Sequence, residues 1–149
     1  MDAHDSHQPY RIVVGVDGSP ASLDALRWAA RFADMSGARI EAVTAWQYPV
    51  PVGWAMPDWD PEKAARKLLI AAINEAYGSE RPRDMSLLTR EGNASEALIK
   101  ASNGAVLLVV GSRGRGGFAG LRLGSVSERC AEYAHCPVLV IHPETALAA

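Results

Sequence analysis

"AVLLVVGSRGRGGFAGLRLGS", residues 105–125, joins an unbroken apolar run to a segment with six glycines and three arginines among its last fifteen residues. The run 105–110 is short and apolar at successive positions, as in a strand covered on both faces. Strands of that kind lie in parallel sheets and are joined by helices. The segment that follows reads in two ways, as a mobile connector with solvated arginines or as a cradle for an anion.

Working outward from it, the alternation of strand and helix holds along the chain. "RIVVGV" (11–16) is another nearly continuous apolar run, broken by "DGSP", where Pro20 suits a helix N-terminus. Leu23, Leu26, Ala30 and Ala33 then recur at helical spacing until Gly37. "ARIEAVTAW" (38–46) reads as a second strand. Residues 47–61 hold four prolines and two tryptophans, and so form a long irregular loop of a kind that is often functional, here a lid in one reading. Trp46, Trp54 and Trp59 around it are expected to pack on the domain or on a partner. A helix over 61–77 presents Ala65, Leu68, Leu69, Ala72 and Ala76 on one face. "DMSLLTRE" (84–91) is a third, weaker strand, and "GNASEALIKAS" (92–102) turns into a helix with Ala94, Ala97, Leu98 and Ala101 on its stripe. After the glycine-rich segment a helix spans 125–134, and "PVLVIH" (137–142) closes as a fifth strand ended by Pro143. The order β-α-β-α-β-α-β-α-β predicts an α/β fold, one parallel sheet with right-handed crossovers and helices on both faces. It occupies a single domain over 9–143, with residues 1–8 as a disordered leader and 144–149 as a tail.

Composition narrows the function. With 149 residues, 48% apolar and 21% charged, the chain has the makeup of a globular domain with a real core. A net charge of -2 gives no reason to expect nucleic acid or an anionic membrane as partner. The apolar runs fall far short of the roughly 20 residues needed to cross a bilayer. The leader has no apolar core and does not read as a signal peptide. Cys130, on a helix, and Cys136, at a strand start, read as free thiols, which fits a reducing cytoplasm. His135 and His142 lack metal-ligand spacing. "NAS" (93–95) matches a glycosylation sequon that a cytoplasmic chain would not use.

In an open parallel sheet, ligands bind beyond the carboxyl ends of the strands where the strand order reverses. Two loops fall at such ends, "GVDGS" (15–19) and the glycine-rich segment. Gly111 and Gly114 would admit positive φ and a close backbone approach. Gly124 and Ser125 open the last helix, whose free amides and dipole favour an anion, and Arg113, Arg115 and Arg122 add positive charge. Ser125 has a second reading, because Ser125-Val126-Ser127-Glu128 also matches a capping box. Asp17 likewise reads either as a site residue or as the cap of the following helix. A Walker A loop is excluded, since Lys100 is the last lysine, and no G-x-G-x-x-G follows the first strand.

The pattern that fits is G-x2-G-x9-G-[ST], made by Gly111, Gly114, Gly124 and Ser125. With Asp17 and the element order, it resembles the ATP-binding branch of the universal stress protein family over residues 9–143. The resemblance implies a five-stranded Rossmann-like sheet of order 3-2-1-4-5 with ATP between the first and fourth strands. Asp17 would lie near the adenosine or a phosphate-bound Mg²⁺, and Val43 and Thr44 would border the adenine. Gly111 and Gly114 would meet ribose and phosphate, with Arg113 steering the anion, while Gly124, Ser125 and Val126 hold the phosphate chain. Gly92 and Ala94 match a G-x-[PA] step beside the same crevice. A homodimer through the apolar fifth strand (137–142) is implied as well, in keeping with the tendency of exposed apolar edges to be paired. With no Ser-His-Asp set and no Walker lysine, binding is expected over catalysis, and the resemblance implies that ATP or another adenine nucleotide is held as a regulatory ligand in stress response. The alternatives are a slow nucleotide phosphohydrolase or phosphotransferase of the same class, or a nucleotide-free interaction module.

Overall fold

Five strands pair into one parallel sheet in the computed structural model, which describes residues 10–49, 59–113 and 123–142. The strands are β1 (Arg11–Gly15), β2 (Arg39–Trp46), β3 (Met85–Glu91), β4 (Leu107–Gly111) and β5 (Val138–Ile141). Their order is β3-β2-β1-β4-β5, the order expected. Val14 of β1 stands in register with Ala42 of β2 on one side and Val109 of β4 on the other. The four connecting helices are α1 (Pro20–Ser36), α2 (Pro61–Tyr77), α3 (Ala94–Ala101) and α4 (Ser125–Tyr133).

Strand side chains alternate between the two faces, and each face meets its own helix pair. Ile12, Val14, Ile40, Ala42 and Val109 pack with Leu26 of α1 and Leu69 and Ile73 of α2. Val13, Val43, Leu108 and Val110 pack on the opposite face with Leu98 of α3 and Cys130 of α4. Both faces of the inner strands are therefore buried, which is why β1 and β4 carry no polar alternation.

The helix ends follow local chemistry. Ser19, Asp60 and Asn93 cap α1, α2 and α3 through side-chain oxygens. Pro20 and Pro61 occupy the first helical position of α1 and α2. Gly37 ends α1 in the left-handed region at φ 76°. Asn93, the sequon asparagine, spends its Oδ1 on the amides of Ser95 and Glu96 and on the Ser95 hydroxyl.

Both cysteines are free thiols, and burial in the α4–sheet core pushes Cys130 up to about 11. Trp46 packs edge-on against Tyr48, with ring centroids 5.5 Å apart. Trp59 departs from the expectation of packing on the domain: it is 52% exposed, at the turn that leads into α2. Trp54, Gly114, Arg115, Arg122, the leader and the tail lie outside the described residues. No helix among the described residues is long and apolar enough to cross a membrane.

Candidate functional site

The strand order reverses between β1 and β4. The chain leaves β1 toward α1 on one face and leaves β4 toward α4 on the other, so the two exits part and open a crevice at the carboxyl ends of the sheet. That crevice encloses about 850 Å³, within the usual range for a small-molecule site. Asp17, Val43, Thr44, Ala94, Gly111, Arg113, Gly124, Ser125 and Val126 all line it. Gly92 does not; it forms the turn before α3 at φ 125°. A second hollow, of about 330 Å³, lies beside α3 around the Arg11–Glu41 ion pair and reaches Arg90 and Glu91 at the end of β3.

On the β1 side the turn is held by hydroxyls and a carboxylate. Ser19, not Asp17, is the N-cap of α1, its side chain accepting from the Ser22 amide. Asp17 instead accepts from the Ser19 amide at 2.9 Å, an Asx turn made possible by Gly18 at φ 81°. Capping is thus taken over two residues later, and Asp17 stays half-buried at the rim of the crevice. The Val16 amide donates to the Val43 carbonyl at 2.9 Å, and the buried Thr44 hydroxyl donates to the Val16 carbonyl at 2.8 Å. These bonds extend the β1–β2 pairing past Gly15, and they make Val43 and Thr44 a fixed wall.

On the β4 side two expectations are corrected. Gly111 is not in the positive-φ region. Its lack of a side chain answers a packing demand instead, because a Cβ there would lie 2.6 Å from Ala21 Cβ and 2.9 Å from the Ala21 carbonyl carbon. The capping box at Ser125 does not form either. Gly124 is the N-cap, no side chain caps the helix, and Ser125 is its exposed first residue. The helix start is fixed from below: the Ser112 carbonyl accepts from the Gly124 amide at 2.6 Å and from the Ser127 hydroxyl at 3.0 Å. The first turn of α4 therefore borders the crevice with no side-chain cap bond to its amides among the described residues, and the helix dipole adds positive potential there.

Among the described residues lining the crevice, Asp17 and Arg113 are the ionisable ones. Hydroxyls complete the polar lining, Ser19 and Ser22 at the start of α1 and Ser125 and Ser127 at the start of α4, with the Ser22 and Ser127 hydrogens already donated to the Ser19 and Ser112 carbonyls. No group of three metal-ligating side chains occurs among the described residues. One carboxylate at Asp17 fits Mg²⁺ held chiefly by phosphate oxygens and water, not a metal caged by protein. Sequence reading passed over Ser22, Gln47, Leu68 and Ser127, which also line the crevice. Ser22 and Ser127 carried a signal, as serines in the first turns of the two helices that follow the glycine turns. Leu68 was hidden in the core stripe of α2, and no local pattern marks Gln47.

Comparison with known proteins places this geometry. The model of the universal stress protein family matches residues 10–142. A universal stress protein of Mycolicibacterium smegmatis is 39% identical over 147 residues, covering 95% of this chain and 48% of that relative. One from Mycobacterium tuberculosis is 33% identical over 141 residues, covering 89% and 48%. The chain thus spans about half the length of the curated relatives it matches. Among solved structures, a universal stress protein in complex with cAMP superposes with a TM-score of 0.69 at 29% identity, covering 89% of this chain and 97% of that one. A universal stress protein from Lactobacillus plantarum has the same fold, with a TM-score of 0.71 at 19% identity and the same coverage.

Proposed function

The chain belongs to the universal stress protein family, and from that premise we propose that it binds an adenine nucleotide, ATP, in the β1/β4 crevice and uses it as a regulatory ligand in stress response. The observation that carries the reading is the start of α4: an uncapped helix N-terminus at the mouth of an 850 Å³ cleft, at the point where the sheet order reverses. The complex of a 29% identical relative with cAMP supports the same ligand class.

Each group has a role in this reading. The amides at Gly124, Ser125 and Val126 take the phosphate chain, helped by Arg113, Gly111 and, beyond the described residues, Gly114. Asp17 meets the ribose or a Mg²⁺ that arrives with the phosphates, because a bare carboxylate beside them would repel. Val43 and Thr44 form the wall behind the adenine. Binding is favoured over turnover, since Asp17 is the one carboxylate lining the described crevice and it is already engaged by the Ser19 amide. The working form is a cytoplasmic homodimer joined through β5.

Native mass spectrometry of freshly purified protein, followed by calorimetry with ATP, ADP and AMP in Mg²⁺, tests the reading. A retained adenine nucleotide, or saturable binding at one site per chain, is expected. Absence of binding at millimolar nucleotide overturns it. Turnover at about 1 s⁻¹ or faster would move the protein into the enzyme class.

A further inference from the structure

We propose that the second hollow, beside α3, binds a free carboxylate with an apolar tail, of the medium-chain fatty acid class; the assignment does not depend on the nucleotide reading above. The hollow follows from a mismatch of layers. On one face of the sheet α2 covers β2 and β3, whereas on the other α3 packs on β1 and β2. Leu88 of β3, in register with Val43 of β2, is left half-buried beside α3. Val43 and Leu88 form the floor, and Ala97 and Ala101, one turn apart on α3, face it with methyl groups. These small side chains keep the space open. Its volume of about 330 Å³ falls at the lower end of the range for a small-molecule site.

Charge is uneven along this floor. At the end where β1 and β2 begin, Arg11 and Arg39 share one carboxylate, Glu41, each at 3.2 Å. Arg11 also donates to the carbonyls of Ala101 and Asn103 past the last turn of α3, both at 2.7 Å, so its two terminal nitrogens are engaged. Lys100 lines the same hollow, and its ammonium makes no ion pair or hydrogen bond with any described residue. At the other end Arg90 and Glu91 close β3 with charges that cancel. The lining thus carries the three cations Arg11, Arg90 and Lys100 against the two carboxylates Glu41 and Glu91, and the surplus falls to Lys100. A ligand that matches has one negative head at Lys100 and an apolar body over Val43 and Leu88, directed toward Arg90. A small inorganic anion would leave the apolar floor in water, and a neutral hydrocarbon would gain nothing from Lys100.

Calorimetry with octanoate below its micelle range, together with methyl NMR of the full chain, tests the site. Saturable binding at one site per chain is expected, with the largest shifts at the methyls of Val43, Leu88, Ala97 and Ala101. Hexanoate should bind about tenfold more weakly than octanoate, since two methylenes leave the floor. Lys100→Met keeps the stem and loses the charge, so it should weaken octanoate about threefold and leave the affinity for 1-octanol unchanged. Ala97→Leu fills the hollow from α3 and should abolish binding with an unchanged or higher melting temperature. The proposal is overturned if octanoate does not bind at millimolar concentration, if the shifts fall on residues outside the hollow, or if either variant binds it as wild type does. Acetate or inorganic phosphate binding there as tightly as octanoate would overturn it too, because the floor would then contribute nothing. Shifts at the same methyls that follow protein concentration instead of octanoate would assign this face to a second copy of the chain, and the carboxylate site falls.

Discussion

Gly111 and Gly15 end neighbouring strands at the crevice, yet they exclude a side chain for different reasons. A Cβ on Gly111 would press on Ala21, including its carbonyl carbon at 2.9 Å, and that backbone belongs to α1. A Cβ on Gly15 would meet Leu98 Cδ1 at 2.7 Å, the far end of a side chain that can rotate. Gly111→Ala is therefore expected to cost about 1–3 kcal/mol in urea unfolding, because a helix has to shift. Gly15→Ala should cost less but should alter nucleotide affinity, since the displaced Leu98 lines the crevice. Equal unfolding costs would mean that α1 yields as easily as a leucine rotamer. The same two positions mark what a motif conceals. The glycine pattern locates Gly111 at the site, while the atom that makes glycine necessary, in Ala21, lies ninety residues away and leaves no local trace. Asp17 and Ser125 are ambiguous for a related reason: aspartate and serine before a helix satisfy amides whether those belong to a cap, a turn or a ligand site. Only the placement of Ser19 and Gly124 as the actual caps resolves them.

Elements were far easier to read than residues. Burial on both faces forces β1 and β4 into apolar runs, and Pro20, Pro61 and Gly37 punctuate the helices between the strands. Met85–Glu91 reads more weakly because β3 is an edge strand, with one buried residue, Thr89, among seven. The contact that sets the crevice wall, Thr44 to Val16, spans 28 positions and has no periodic signature. At the scale of the helix, α4 offers a decisive substitution. Ser125 is its exposed first residue, and Gly124 provides no side-chain cap. Ser125→Glu places a carboxylate in the first turn, where it interacts favourably with the dipole and should stabilise the free protein by about 0.3–1 kcal/mol. The same carboxylate occupies the potential meant for phosphate. The expected outcome is a raised melting temperature with ATP affinity reduced about tenfold or more. Such opposition is diagnostic: loss of affinity together with loss of stability would mean damage to the helix, and unchanged affinity would mean that phosphate lies elsewhere.

Across the whole molecule, the order β3-β2-β1-β4-β5 leaves two edges, and their backbones differ in what they present. In β5 the carbonyls of Pro137 and Ile141 accept from the amides of Leu108 and Ser112, so alternate residues 137, 139 and 141 face β4. Val138 and Val140 then turn their amides and carbonyls away from the sheet, toward the open edge. An apolar edge four residues long, with helices behind both of its faces, is a template for a second copy of itself. The alternation also makes the proposed homodimer separable from the fold. Val140→Pro removes an outward amide and leaves the β4–β5 ladder intact, a position where proline is tolerated. Wild type should sediment as a dimer at tens of micromolar, and Val140→Pro as a monomer that still unfolds in one cooperative transition. If nucleotide binding needs only the crevice of one chain, the monomeric variant should keep its affinity for ATP. Loss of affinity along with the dimer would place part of the ligand site across the β5 edge. A monomeric wild type would remove the β5 edge from the assembly altogether.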